Sequence, residues 1–316
     1  MSFNVIFGSS AALGSPARRA APPDRPALTV GVVQTSWLEA SDAHEAVLAE
    51  GIQIAVDGGA QIVCLQELTL SPYLAVTKEC ADAAVAFTEA IPEGRTTRFA
   101  RRMAAATGAY VHASLYERAD DGGLGFNTAI CVAPDGRVLA RTRKNHIPRF
   151  PGYHEDRCFR PGDSGFPVVD VADAKFGFPT CWDQWFPELA RVYSLQGAEI
   201  LVYPTAIGSE PHIDGFDTQP LWRQMITANG LSNSTFMVVA NRVGIEHGLR
   251  FYGSSFISDP YGRIVAAAPR DGNAVLICEL DLAQRSDMLE FGLLDTRRPE
   301  LYQQLTRVEQ GGGATP

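Results

Sequence analysis

Cys181 stands where a strand-like string, Phe176 to Thr180, gives way to Trp182-Asp183-Gln184-Trp185-Phe186 and a helix-compatible run from Pro187 to Gln196. A strand-to-helix turn exposes a nucleophile. The backbone N–H groups beyond such a turn lower a thiol pKa and can receive a developing oxyanion. Glu67 lies just past the apolar string Ile62 to Leu65, and Lys144 follows a hairpin. Each alone reads as a solvated edge charge. Together with Cys181 they supply a base, a cation for an oxyanion and a nucleophile, which are the parts of an acyl-transfer site. Lysine occurs only at 78, 144 and 175, so any lysine-dependent step has few candidates. No Cys–His pair of the protease kind is evident to act as the base.

Other strings carry less. GDSGFP (162–167) matches a trypsin-like serine protease motif except for Phe166, but neither a secretory signal nor a disulfide framework accompanies it. His146, His154 and Cys158 lie close together, yet no H-E-x-x-H or paired C-x-x-C supports a metal site, and they read as loop residues shaping a pocket mouth. With no Walker loop and no G-x-G-x-x-G, neither a metal nor a nucleotide cofactor is expected.

The elements that must position these groups alternate in type. Leu28 to Thr35 reads as a buried strand, and Asp42 with Glu45 gives a capping-box signature for a helix reaching about Val56. A second buried strand follows at 62–65, with Glu67 just past its carboxyl end, where α/β sheets place working residues. A helix at 95–106 leads to a strand at 109–117 that ends on another carboxylate, Glu117, and a hairpin turns at Pro134-Asp135-Gly136. Residues 144–167 form a loop rich in Pro, Gly and charge, and loops that long usually serve function. The second half repeats the alternation: strands at 167–171, 176–180, 199–205 and 236–241, helices at 187–196 and 220–231, and a last strand at 273–281. That number of strands predicts an α/β protein with two sheets packed face to face and helices outside.

The chain has 316 residues, of which 46% are apolar and 20% charged, and 27 basic against 36 acidic residues give a net charge of −9. The acidic balance, with no compensating run of Lys and Arg, argues against nucleic-acid binding. No apolar stretch approaches the ~20 residues of a membrane helix. The six Cys (64, 80, 131, 158, 181, 278) show no dense framework, so thiols kept reduced in a cytoplasmic setting are expected. Residues 1–27 lack a basic region ahead of an apolar core and read as a flexible tail; their Arg, Ser and Ala content leaves a transit peptide as the alternative. One domain over 28–303 and a flexible end at 304–316 complete the organisation.

QIVCLQELTLSPY (61–73), RKNHIP (143–148) and CWDQWFPELAR (181–191) resemble, in order and spacing, the glutamate, lysine and cysteine motifs of the nitrilase (carbon–nitrogen hydrolase) superfamily. PGYHEDRCFRPGDSGF, LVYPTAIGSEP and FYGSSFISDPYG are similar to its N-carbamoylputrescine amidase branch, whereas KNHIPR and NRVGIEH are equally similar to β-ureidopropionases, which act on N-carbamoyl-β-alanine. Arg149, Thr180 and His154 depart from the putrescine branch. The resemblance implies a four-layer αββα sandwich and a homodimer or larger homo-oligomer, with no cofactor. The implied enzyme is a thiol amidohydrolase acting on a small carbamoyl or amide compound through a covalent Cys181 intermediate. In it Glu67 is the acid–base, Lys144 the oxyanion cation and Glu117 the second glutamate that orients Lys144. Tyr73, Trp182, Asp183, Arg149, His154 and Thr205 are expected to meet the substrate, with Asp183 or Glu188 suiting a cationic tail, and Arg149 and Arg157 a carboxylate. A nitrilase is the weaker reading, because Asp183 follows Cys-Trp where nitrilases tend to carry Glu. A binding or assembly module of the same fold is the alternative outside catalysis, and the complete Glu67, Lys144, Cys181 set argues against it.

Overall fold

The computed structural model describes residues 2–17 and 25–307. Two main sheets dominate. The first has seven strands in the order Asn4–Ser9, Ala274–Leu280, Leu28–Gln34, Ile62–Cys64, Tyr110–Glu117, Phe126–Val132, Val138–Arg143. The second has six, in the order Ile264–Ala267, Phe256–Ser258, Phe236–Asn241, Ile200–Thr205, Ala174–Gly177, Val168–Val171.

The alternation of side chains along each strand builds the layers. Val30, Val32 and Ile62 of the first sheet meet Val202, Phe236 and Val238 of the second in a shared central core. Val33 and Val63 point the other way, against Leu48 and Ile52 of the helix Ser41–Asp57 and Phe99 of the helix Arg95–Thr107. Leu201 and Met237 likewise pack on the helices Pro187–Leu195 and Gln219–Asn233. The result is the expected αββα sandwich. Gly31 permits its tight outer layer: a Cβ there would lie 2.7 Å from the Cβ of Ala55.

Some local readings are corrected. Residues 1–27 are not a tail throughout, because Asn4–Ser9 adds in parallel to Ala274–Leu280, with Asn4 opposite Ala274 and Ser9 opposite Glu279. The helix at 41 begins after Ala40 without a side-chain cap, and Glu45 turns to Arg95 and Arg102 instead of reaching back. Cys80 and Cys158 are joined as a disulfide across 78 residues, so not every thiol is free. At the C-terminal end, Gln303–Thr306 forms a short 3-10 turn. Residues 18–24 and 308–316, parts of the two expected flexible ends, lie outside the described residues. Among the described residues no helix is long and apolar enough to cross a membrane.

Candidate active site

Three strands deliver the key side chains at their carboxyl ends: Ile62–Cys64 leads to Glu67, Val138–Arg143 to Lys144, and Ala174–Gly177 to the turn at Cys181. Burial then forces them to pair, since an isolated charge inside a protein is strongly disfavoured. The Lys144 ammonium, fully enclosed, donates to Glu67 Oε1 at 2.9 Å and to Glu155 Oε2 at 2.6 Å. Asn127 Nδ2 donates to the same Glu67 oxygen at 2.7 Å, and the Tyr73 hydroxyl donates to Glu155 Oε1 at 2.9 Å. Glu67 Oε2 is buried and has no partner, which leaves one carboxylate oxygen open as a proton acceptor.

Electrostatics follow from this enclosure. Burial alone would lower the Lys144 pKa, but the Glu155 and Glu67 carboxylates outweigh it and hold the group protonated. Glu155 is raised, first by burial and also by Glu67, with Lys144 opposing. Cys181 is 5% exposed and lies within the field of all three. Burial and the Glu67 carboxylate push its pKa well above the ordinary thiol value, with Lys144 opposing. The lowered pKa expected from the turn is therefore not found: the resting group is a thiol, and attack requires a base. Cys181 has φ +40, and Leu68, directly after Glu67, has φ +49. Left-handed backbone at non-glycine residues is held by the surrounding structure against a cost of order ~1 kcal/mol each.

Cys181 opens onto a narrow cavity whose walls include Phe150, Tyr153, Glu155, Trp182 and Glu210. Trp182, expected to meet the substrate, is thus on the cavity wall beside Cys181. Other expected contacts are redistributed. Glu117 does not orient Lys144: it accepts from Arg141, Arg143 and the Thr128 hydroxyl, and these bonds overcome burial and lower its pKa. Glu155 holds the position assigned to Glu117. Tyr73 reaches the site, but as the partner of Glu155 and buried within an aromatic cluster.

Asp183 is fully buried and does not line the cavity. Its carboxylate accepts from the backbone N–H of Asn145, His146 and Thr180 and from His146 Nδ1, which ties the segment after Lys144 to the turn at Cys181. Thr205 spends its hydroxyl on the Ala240 carbonyl at 3.2 Å. Arg149 is exposed and does not line the cavity, and His154 is placed by its backbone N–H on the Ala75 carbonyl. The sequence reading missed Glu155, Asn127 and Glu210. Glu155 and Glu210 both lie in strings quoted for their resemblance, which was the available signal.

The chain is similar to known proteins over most of its length. The carbon–nitrogen hydrolase family profile matches residues 29–288. The chain is 37% identical over 293 residues to an N-carbamoylputrescine amidase of Solanum lycopersicum, covering 89% of this chain and 96% of that protein. It is 36% identical over 285 residues to a citrullinase of Francisella tularensis, covering 89% and 98%. A crystal structure of a carbon–nitrogen hydrolase from Helicobacter pylori superposes with a TM-score of 0.83 at 29% identity, covering 89% of this chain and 99% of that one.

Proposed function

The chain belongs to the carbon–nitrogen hydrolase family, and from that premise we propose that it cleaves the terminal ureido group of an N-carbamoyl amine with a cationic tail, of the N-carbamoylputrescine kind. The observation that carries the substrate reading is Glu210, a half-buried carboxylate on the wall of the cavity that holds Cys181, where no arginine or lysine among the described residues lines the wall. Burial raises the Glu210 pKa, opposed by His212 and the Thr218 hydroxyl, so an ammonium arriving beside it gains a partner that water solvates poorly. The carboxylate tail of N-carbamoyl-β-alanine would meet a like charge there, and Arg149 faces solvent.

In the mechanism we propose, Glu67 Oε2 takes the Cys181 proton as sulfur attacks the ureido carbon. Lys144 and the Trp182 backbone N–H hold the oxyanion. The C–N bond to the terminal nitrogen breaks, and ammonia departs with the proton from Glu67. The remaining carbamoyl thioester is hydrolysed by water that Glu67 deprotonates, regenerating the thiol and releasing a carbamic acid that falls to amine and carbon dioxide. Glu155 keeps Lys144 charged and aimed. The protein acts as a homodimer or larger homo-oligomer in the cytoplasm in this reading. The exposed Tyr302 and Leu305 support the assembly, because they line a groove with Pro187 and Arg191 on the outer helical face.

Kinetics on two substrates check the tail. Wild type is expected to prefer N-carbamoylputrescine to N-carbamoyl-β-alanine in kcat/KM. Glu210→Gln should lower kcat/KM for the putrescine compound by roughly 10- to 100-fold, the worth of one charge-assisted hydrogen bond, mainly through KM. Arg149→Asp should leave the preference in place. A wild-type preference for the β-alanine compound, reversed by Arg149→Asp, would overturn the assignment.

A further inference from the structure

Arg242 follows the strand Phe236–Asn241 in the second sheet and is fully buried, although it is one of the largest side chains in the molecule. Its guanidinium is directed into the turn that carries Glu67. Nε donates to the Glu67 carbonyl at 3.3 Å, and one terminal nitrogen donates to the carbonyls of Glu67, Leu68 and Ser71 at 3.1, 2.7 and 2.6 Å. The other terminal nitrogen binds both oxygens of Glu246 at 2.6 and 2.8 Å. Glu246 in turn accepts the backbone N–H of Tyr73 at 2.8 Å. One cation and its counter-ion therefore grip both ends of the segment 67–73, whose first residue binds Lys144 and whose last binds Glu155.

The turn needs such a grip for a physical reason. Carbonyls of three nearby residues converge on one point, and their negative ends repel unless a cation or several donors sit between them. Leu68 has φ +49, so the chain is also held in a conformation that it would otherwise leave. His44 completes the arrangement on the far side with Nε2 at 3.0 Å from the Thr69 carbonyl. Burial lowers the His44 pKa to about 4, with the Thr69 hydrogen bond opposing and Arg242 adding to the effect, so that neutral imidazole donates this bond.

We propose that Arg242 is a positioning residue of the reaction. Through the backbone of residues 67–71 it fixes the Glu67 carboxylate against Cys181 and Lys144, and through Glu246 and Tyr73 it fixes Glu155. It touches neither substrate nor the reacting atoms. The inference rests on the reading of Glu67 as the acid–base.

The test compares Arg242→Gln, Arg242→Lys and Glu246→Gln with wild type on N-carbamoylputrescine. Ammonia release gives kcat and KM, and the folded fraction, measured by circular dichroism across a urea unfolding curve, normalises kcat to folded sites. Arg242→Gln should lose about 10²-fold in kcat per site, the scale of a misplaced general base, while KM moves less than about threefold. Arg242→Lys should regain about tenfold of that loss, because an ammonium can meet some of the carbonyls but lacks the planar fork. Glu246→Gln, which keeps an acceptor for Tyr73, should fall between wild type and Arg242→Gln. If Arg242→Gln does not fold, the other variants carry the same test. Wild-type kcat per folded site in these variants, with loss confined to thermal stability or yield, would overturn the proposal. Full activity in Glu67→Gln would instead remove the reading beneath it, so the two failures are distinguishable.

Discussion

Cys181→Ala and Cys181→Ser are expected to release no measurable ammonia from N-carbamoylputrescine, a fall of at least ~10⁴-fold in kcat, because no other group in the cavity can form the covalent intermediate. Both substitutions keep a Cβ at φ +40, so the backbone strain at this turn is unchanged. Both also leave the buried Lys144, Glu67 and Glu155 network complete. Fold and assembly should therefore match wild type by circular dichroism and light scattering. The serine variant is informative because its hydroxyl occupies nearly the place of the thiol. Its inactivity would show that position alone does not suffice and that the nucleophilicity of sulfur is required. Turnover near wild type in the alanine variant would end the account.

Lys144→Met should combine a catalytic and a structural loss. Removing the oxyanion cation lowers kcat by about 10²- to 10³-fold. The same change leaves Glu67 and Glu155 facing each other in a buried site without a positive charge, and breaking a buried pair on one side costs about 3–5 kcal/mol. The sign of the pH dependence follows. Without Lys144 the pKa of the Glu155 carboxyl group, already raised by burial, rises further, so the folded state retains a proton that the unfolded chain has released, and stability falls as pH rises through that interval. Urea unfolding at several pH values should show the variant nearest to wild type under acidic conditions and furthest from it above neutrality. Glu67→Gln lacks the proton acceptor but keeps an oxygen for Lys144. It should lose at least ~10²-fold in kcat with a smaller stability change. Equal stability deficits for Lys144→Met at all pH values would contradict the charge argument.

The chemistry that ends a strand was legible, whereas the chemistry placed by tertiary contact was not. Glu67, Lys144 and Cys181 each follow an apolar string whose period and punctuation mark a strand or hairpin, and the rule that α/β sheets work at their carboxyl ends selects them. That rule also selected Glu117, which ends a strand equally well. What distinguishes it is its neighbours, Arg141 and Arg143, which reach it from the outer strand of the following hairpin, one strand removed in the sheet, and neutralise it away from Lys144. Glu155 sits beside Asp156 in a long loop, and nothing local says which of the two carboxylates is covered. The cover comes from Tyr73, 82 residues away.

Asp183 shows the converse. Its place beside Cys181 suggested substrate contact, yet the backbone N–H groups of the lysine segment claim its oxygens first. The N-terminal strand escaped because Asn4–Ser9 is short and its partner, Ala274–Leu280, lies at the other end of the chain. The layers themselves were readable from alternation, since both faces of each main sheet are buried and the strands read as continuous apolar runs.

The central claim is that turnover passes through a covalent bond to Cys181. Acid-quenching the wild-type enzyme during turnover of N-carbamoylputrescine, followed by mass spectrometry of its peptides, tests this most directly. The predicted result is a peptide containing Cys181 that carries the substrate less one ammonia, present during turnover and gone once substrate is exhausted. Rapid ammonia release with the Cys181 peptide unmodified at every quench time, and the adduct found on another residue, would contradict the account.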